Sequence, residues 1–193
     1  MDKLIIATNN KHKLDELRQI LTPYFNSILS LSEAGIRHET VEDADTFEGN
    51  ALKKAREIAH ISGCAALADD SGLAVEALNG EPGVYSARYA GEPCDDKKNL
   101  ELVLERMRGK TDRRASFVCV LALVTPKTEL TARGEVLGTL TLAPVGEDGF
   151  GYDPIFYVPE YKCTFAQMTQ EQKNRLSHRA EAARLLAGKL EEI

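Results

Sequence analysis

The sequence predicts an α/β layered fold with a mixed sheet flanked by helices and an antiparallel extension. Three observations lead there. Helix-like and strand-like segments alternate through the N-terminal half. Strands then follow one another directly in the middle of the chain. The first apolar run, Leu4 to Ala7, is continuous rather than alternating, as in a strand buried on both faces. No internal repeat, low-complexity tract or linker breaks the 193 residues, so a single domain over 1–193 is expected.

In order, Thr8-Asn9-Asn10 ends the first strand. A helix follows with Leu14, Leu17, Ile20 and Leu21 on one face, stopping before Pro23, with Asn9 or Asn10 as its N-cap. A short strand is expected over 27–31. Asp45 with Glu48 resembles a capping box, opening a helix over 47–62 whose apolar face is Phe47, Ala51, Ala55, Ile58 and Ala59 and which Gly63 ends. Residues 65–68 read as a short buried strand, with Asp69 and Asp70 at its end and Ser71-Gly72 as a turn. A Gly/Pro-punctuated loop (79–93) leads to a helix starting at Asp95 or Asp96, with Leu100, Val103, Leu104 and Met107 as core and Gly109 closing it. Residues 116–125 form a central strand, and 129–138 and 139–143 two more in a meander. A glycine-rich loop (146–153), a short strand (155–158) and a helical C-terminal segment from Thr169, with Ser177 as an interior N-cap, complete the chain.

A hydrophobic fraction of 43% and a charged fraction of 28% suit a globular chain with a sizeable core. The net charge of -6 disfavours a nucleic acid polymer as partner, while a local basic cluster can still hold a small phosphorylated ligand. Cys64, Cys94, Cys119 and Cys163 lack metal-ligand spacing and read as free thiols of a reducing compartment. The apolar runs are too short for a signal peptide or a membrane span. A cytoplasmic protein is expected.

The chemistry gathers at element ends. A strand, a polar loop and a helix at 4–21 point backbone N–H groups and a positive dipole end at whatever sits in the loop, and Lys11 and Lys13 add charge there. Asp69 and Asp70 are adjacent carboxylates that repel one another unless a cation or a shared proton relieves them. With Glu42 they make an oxygen-donor set suited to Mg²⁺, which shares its sphere with water and phosphate. Lys13, Lys54 and Lys173 are point charges for the remaining phosphate charge, and an acidic group not fully committed to the metal can take a proton from water.

Six motifs in one order then carry a resemblance: Thr8-Asn9-Asn10-Lys11-His12-Lys13, Thr46-Phe47-Glu48-Gly49-Asn50-Ala51, Ala68-Asp69-Asp70-Ser71-Gly72-Leu73, the segment from Pro82 to Tyr89, Gly149-Phe150-Gly151-Tyr152-Asp153-Pro154, and Ser177-His178-Arg179. The set resembles the inosine triphosphate pyrophosphatase family (XTP/dITP diphosphatases) from Leu4 to the C-terminal helix. The resemblance implies Mg²⁺-dependent hydrolysis of a non-standard purine nucleoside triphosphate (ITP, dITP, XTP) to the monophosphate and pyrophosphate, cleansing the nucleotide pool. It also implies an elongated fold of two lobes around an active-site cleft, and a homodimer.

Carried over by residue, the resemblance puts Thr8, Asn9, Asn10, Lys11, His12 and Lys13 on the triphosphate, with Lys13 the main cation. Glu42 and Asp70 serve the metal, with Glu39 and Asp43 as neighbouring acidic alternatives to Glu42. Asp70 is also the base for water, supported by Asp69. Ser71 and Lys54 contact substrate. Phe150, Gly151, Tyr152, Asp153, Lys173, His178 and Arg179 hold the base. Phe150 between glycines can lie flat on a purine, stacking being worth about 1–3 kcal/mol per base. O6 of hypoxanthine or xanthine accepts from Arg179 and backbone N–H groups, whereas the 6-amino group of adenine would leave those donors unmet.

Arg88 between Tyr85 and Tyr89 is either an interface anchor or part of a buried loop. Two other functions remain to be separated by experiment. A phosphomonoesterase would need a nucleophilic Asp on the first strand, where Thr8-Asn9-Asn10 stands instead. A nucleotide sensor would need neither base nor metal.

Overall fold

The computed structural model describes residues 3–191. The side chain of His12, expected at the triphosphate, falls outside the described residues. The strands are β1 (Lys3–Ile6), β2 (Ser27–Ser30), β3 (Ala65–Val75), β4 (Arg114–Val124), β5 (Glu129–Leu140), β6 (Phe156–Val158) and β7 (Cys163–Thr164). The α helices are α1 (Lys11–Leu21), α2 (Phe47–Ser62), α3 (Asp96–Arg106), α4 (Gln170–Leu176) and α5 (His178–Glu191). Among the described residues the seven strands form one sheet in the order β2-β1-β3-β4-β5-β6-β7. β1 is parallel to β2 and β3, while β6 is antiparallel to β5 and β7. This is the expected mixed sheet with its antiparallel extension. No described helix is long and apolar enough to cross a membrane.

The chain divides into two compact units, one made of residues up to 70, 119–134 and 178 onward, the other of 71–118 and 135–177. In the first, the strand period of two sorts β1, β3 and β4 onto two faces. Leu4, Ile6, Leu67, Cys119 and Leu121 pack with Leu14, Leu17 and Leu21 of α1 and Ala182, Ala183 and Leu186 of α5. Ile5, Ala7, Ala66, Ala68 and Val120 pack with Ala51, Ala55 and Ile58 of α2. The continuous apolar run of β1 is thereby explained: both its faces are covered.

Two local details differ from expectation in this unit. Thr46, not Asp45, caps α2, its hydroxyl accepting the Gly49 N–H at 3.0 Å. Thr46 holds an extended backbone (φ -133°, ψ 149°) one residue before the helix, and Glu48 instead accepts from the Thr131 hydroxyl. Asp69 and Asp70 do not end their strand, because β3 runs on through Ser71-Gly72 to Val75. What ends there is β1: its last paired residue, Ile6, lies opposite Leu67, and the Ala7 N–H bonds the Leu67 carbonyl at 2.7 Å.

The second unit has its own core, built around Leu73, Val103, Met107, Phe117, Phe156 and Phe165. The Phe117 ring lies 4.4 Å from that of Phe156 and stacks on Phe165 at 5.5 Å. The expected pair of strands at 129–143 is one twelve-residue strand, β5. Gly138 permits its unbroken run: a side chain there would strike the Tyr157 carbonyl at 2.6 Å. The C-terminal helical segment is two helices, α4 and α5, separated at Ser177, whose backbone is extended (φ -60°, ψ 150°). Thr169 and Gln172 form a capping box at the start of α4.

Candidate active site

In the first unit, the end of β1, the first turn of α1, the middle of β3 and the starts of α2 and α5 converge. Asn10 caps α1, its Oδ1 accepting the Lys13 N–H at 3.2 Å, while its own N–H bonds Thr8 Oγ1 at 3.1 Å. Thr8 is buried, whereas Asn9, Asn10 and Lys11 are exposed around it. From the first turn of α1, Lys13 reaches Asp69, with Nζ 2.7 Å from Oδ2.

Asp69 is 2% exposed and lies on the face that carries α1 and α5. The Arg179 Nε is 3.6 Å from the same Oδ2, and Arg179 Nη1 donates to Glu16 Oε2 at 2.7 Å. Burial would raise the pKa of Asp69, but Lys13, Arg179 and Lys54 outweigh it and hold the carboxyl well below the usual range. Arg179 is itself 2% exposed. Its burial opposes its charge, which the Asp69 and Glu16 carboxylates restore, so its pKa lies above the ordinary value. The approach of α5 that places Arg179 depends on Gly134 of β5. A Cβ there would collide with the His178 carbonyl and the Ala182 nitrogen.

Asp70, one residue on, faces the other way. Asn50 of α2 donates from Nδ2 to Asp70 Oδ2 at 3.0 Å. Lys54, one turn further along α2, ion-pairs with Glu42 and donates to the Asp69 carbonyl at 3.0 Å. Burial pushes the Asp70 pKa up to about 6; Lys54, Asn50 and Lys13 pull it down, and Glu42 adds to the rise. Burial lowers the pKa of Lys54, but Asp69, Glu42 and Asp70 overcome this and raise it. Two neighbouring carboxylates are thus driven in opposite directions, the pattern that separates an acid–base group from a fixed charge.

Of the acidic alternatives before Thr46, Glu42 is the residue on Lys54, while Asp43 pairs with Lys53 at 2.6 Å. Register along α2 accounts for this, because Lys53 and Lys54 point about 100° apart.

In the second unit, Asp153 and Lys173 form a buried ion pair of 2.6 Å. Asp153 Oδ2 also accepts the Phe150 N–H at 3.0 Å, and Lys173 Nζ lies 5.4 Å from the centre of the Phe150 ring. The Gly151 N–H bonds Asp96 of α3 at 3.0 Å, and the Tyr152 hydroxyl donates to the Ser86 carbonyl at 2.7 Å. Four separate bonds therefore shape the loop that carries Phe150. Ser71 is half-buried on β3 in this unit. Beside it, Gly72 allows close approach, since a Cβ there would lie 2.5 Å from the Gly83 carbonyl. Tyr85 is 53% exposed with the Arg88 guanidinium 5.3 Å over its ring, while Tyr89 turns to Glu81.

The first unit thus gathers Thr8, Lys13, Glu42, Lys54, Asp69, Asp70 and Arg179, and the second gathers Phe150, Gly151, Tyr152, Asp153 and Lys173. His178 is buried at the start of α5. Glu16, Asn50, Ser86 and Asp96 have no place among the sequence-derived site residues. Glu16 and Asn50 carried a signal: each is a polar residue beside the apolar stripe of its helix, next to Leu17 and Ala51.

A mixed α/β sheet with lysines and carboxylates gathered where its parallel strand β1 ends belongs to the class of folds that bind phosphorylated ligands at strand termini. Comparison with known proteins narrows the class. Residues 4–189 match the Ham1 family. A protein of Clostridium perfringens named dITP/XTP pyrophosphatase is 48% identical over 202 residues, covering 100% of this chain and 99% of that one. The solved Ham1 protein of Staphylococcus aureus superposes with a TM-score of 0.91 at 43% identity, covering 98% of each chain. A HAM1 protein from Coxiella burnetii gives 0.91 at 39% identity over the full length of both. This chain belongs to the Ham1 family.

Proposed function

We propose that the chain hydrolyses non-standard purine nucleoside triphosphates, dITP, XTP and ITP, to the monophosphate and pyrophosphate. We further propose that it uses Mg²⁺ and acts in the cytoplasm as a homodimer. The full-length match to proteins named dITP/XTP pyrophosphatase supports the reaction. The observation that carries the chemistry is the divergence of Asp69 and Asp70.

Asp69, held charged between Lys13 and Arg179, keeps the Lys13 ammonium at the end of β1. There Lys13, with Thr8, Asn9, Asn10, Lys11 and His12, would take the triphosphate, and Lys54 and Ser71 would contact it further. Asp70, buried on the opposite face of β3 beside Asn50 and Lys54, is the group to accept a proton from the attacking water. Its proton affinity is raised in the metal-free protein, and a bound cation would lower it.

The donor set fits Mg²⁺. Among the described residues no group of three or more His, Cys, Asp or Glu side chains forms a ready cage. Mg²⁺ bound through one or two carboxylates and substrate phosphate needs none. Asp70 and Glu42, close enough to raise the Asp70 pKa and bridged by the charge of Lys54, would hold it. When bound, it would neutralise phosphate oxygens and so favour departure of pyrophosphate.

Phe150 would stack on the purine. The residues assigned to its edge are Gly151, Tyr152, Asp153, Lys173, His178 and Arg179, of which Arg179 also serves as counter-charge to Asp69. The free thiols suit a reducing compartment, and the exposed Tyr85 is an aromatic contact of the kind that dimer interfaces use.

Incubation with ITP and Mg²⁺ tests the reaction. Pyrophosphate and IMP are expected, EDTA should stop their release, and ATP should be turned over far more slowly. Orthophosphate as product, or unchanged ITP, overturns the reading.

A further inference from the structure

We infer that Asn50 is a positioning residue for this reaction, a single carboxamide that orients Asp70 and anchors the segment bearing Glu42. The inference rests on the roles proposed above for those two carboxylates. Asn50 is fully buried on the apolar stripe of α2, beside Ala51. Asparagine is a poor helix former, and a buried amide is costly unless both its ends are bonded. Here both are. The Ala44 N–H donates to Oδ1 at 2.9 Å, and Nδ2 donates to Asp70 Oδ2 at 3.0 Å. A backbone N–H can only donate, so it fixes which end of the amide is oxygen, and that leaves the NH₂ facing Asp70.

Ala44 lies two residues from Glu42, in a segment laid along α2 by further bonds. His38 and Thr40 both reach Glu57 at 2.6 Å, Glu42 pairs with Lys54, and Asp43 pairs with Lys53. One side chain therefore ties the Glu42 segment and the Asp70 strand to the same turn of α2. A carboxylate meant to meet a water, a cation and a phosphate needs a fixed plane, and an outer-shell donor of this kind supplies it. Aspartate at position 50 would keep the acceptor for Ala44 but present an oxygen to Asp70 instead of a donor.

The test compares Asn50→Asp and Asn50→Ser with Thr46→Ala, which removes the cap of the same helix without touching either carboxylate. Pyrophosphate release from ITP, thermal melting, and calorimetric titration of the nucleotide-free protein with Mg²⁺ are measured for each. For both Asn50 variants kcat should fall about 10- to 100-fold with KM for ITP near wild type. Their Mg²⁺ affinity should depart from wild type as well. Thr46→Ala should lose melting temperature yet keep its kcat and Mg²⁺ affinity. The serine variant covers the case in which the aspartate variant does not fold. Asn50 variants whose kcat and Mg²⁺ affinity match those of Thr46→Ala overturn the inference, as does a wild-type protein that binds no Mg²⁺. If wild type releases no pyrophosphate, the functional reading fails, and the Mg²⁺ titrations alone then decide whether Asn50 positions the carboxylates.

Discussion

The two faces of β3 show how adjacent carboxylates can be given opposite properties by one strand. Asp69 points to α1 and α5, where Lys13 and Arg179 lie against it and a second acid, Glu16, balances the guanidinium. Asp70 points to α2, where it meets the Asn50 amide, Lys54 and the opposing charge of Glu42, with Lys13 adding only the smallest of these pulls. Both are buried, at 2% and 6% exposure. Burial alone therefore does not separate them. The local count of cations does, because desolvation raises a carboxyl pKa until enough positive charge outweighs it. The cation-rich face makes a fixed charge and the cation-poor face a proton acceptor.

The largest expected effect breaks the cation-poor face. Asp70→Asn should reduce pyrophosphate release from ITP by about 10²- to 10⁴-fold, the range for loss of a general base, while calorimetry still detects ITP binding. The same variant should move stability the other way. Folding raises the proton affinity of Asp70 from an ordinary value of 3.8 to about 6. Its contribution to stability is therefore full below 3.8 and is lost as pH rises through about 6. Without metal, Asp70→Asn should melt higher than wild type at pH 8, with the gap closing towards pH 4. Asp69 works in the opposite sense: its depressed pKa contributes stability above its ordinary value of 3.8, lost only in stronger acid. A wild-type melting advantage at pH 8 would contradict the contrast.

On the cation-rich face, Arg179→Met leaves Glu16 and Asp69 buried without their shared counter-charge. Urea unfolding should show a loss of about 3–5 kcal/mol, as for a broken buried pair. A Glu16→Leu/Arg179→Met double variant should recover part of it. Gly134→Ala tests the backbone approach that delivers Arg179. The new methyl meets the backbone of α5 rather than a flexible side chain, and overpacking of that kind costs about 1–3 kcal/mol.

The smallest effect is a chemical one. Burial on the Asp69 face pushes the Cys119 thiol up to about 12. Cys119 should stay unmodified by iodoacetamide at pH 8 in the folded protein while exposed Cys94 reacts, as read by peptide mass spectrometry. Labelling of Cys119 at the rate of Cys94 would mean this face is open to solvent.

Much of this was legible in the chain. The continuous apolar run at Leu4–Ala7, the stripe of Leu14, Leu17 and Leu21, and the glycine after α2 reflect local sterics and periodic burial, and both the fold class and the helices followed from them. Elements misjudged were those whose ends depend on a neighbour. β3 outruns the Asp-Asp-Ser-Gly turn signal because pairing along the sheet carries it onward, and β5 runs unbroken through Gly138, where the missing side chain leaves room for the Tyr157 carbonyl of β6. Thr46 wins the cap over Asp45 by one residue of register, a margin that spacing patterns do not resolve.

The residue order by itself determined which groups are present and set Asp69 and Asp70 beside the apolar run 65–68. The structure carries β3 on through them to Val75, so that its alternation faces them apart. Only the tertiary structure decided what each one meets. Glu16 and Arg179 are separated by 163 positions yet share a hydrogen bond, and Asn50 reaches Asp70 across 20. Contacts of that separation arise from helices packing onto a sheet, and through them a carboxyl group acquires its charge state.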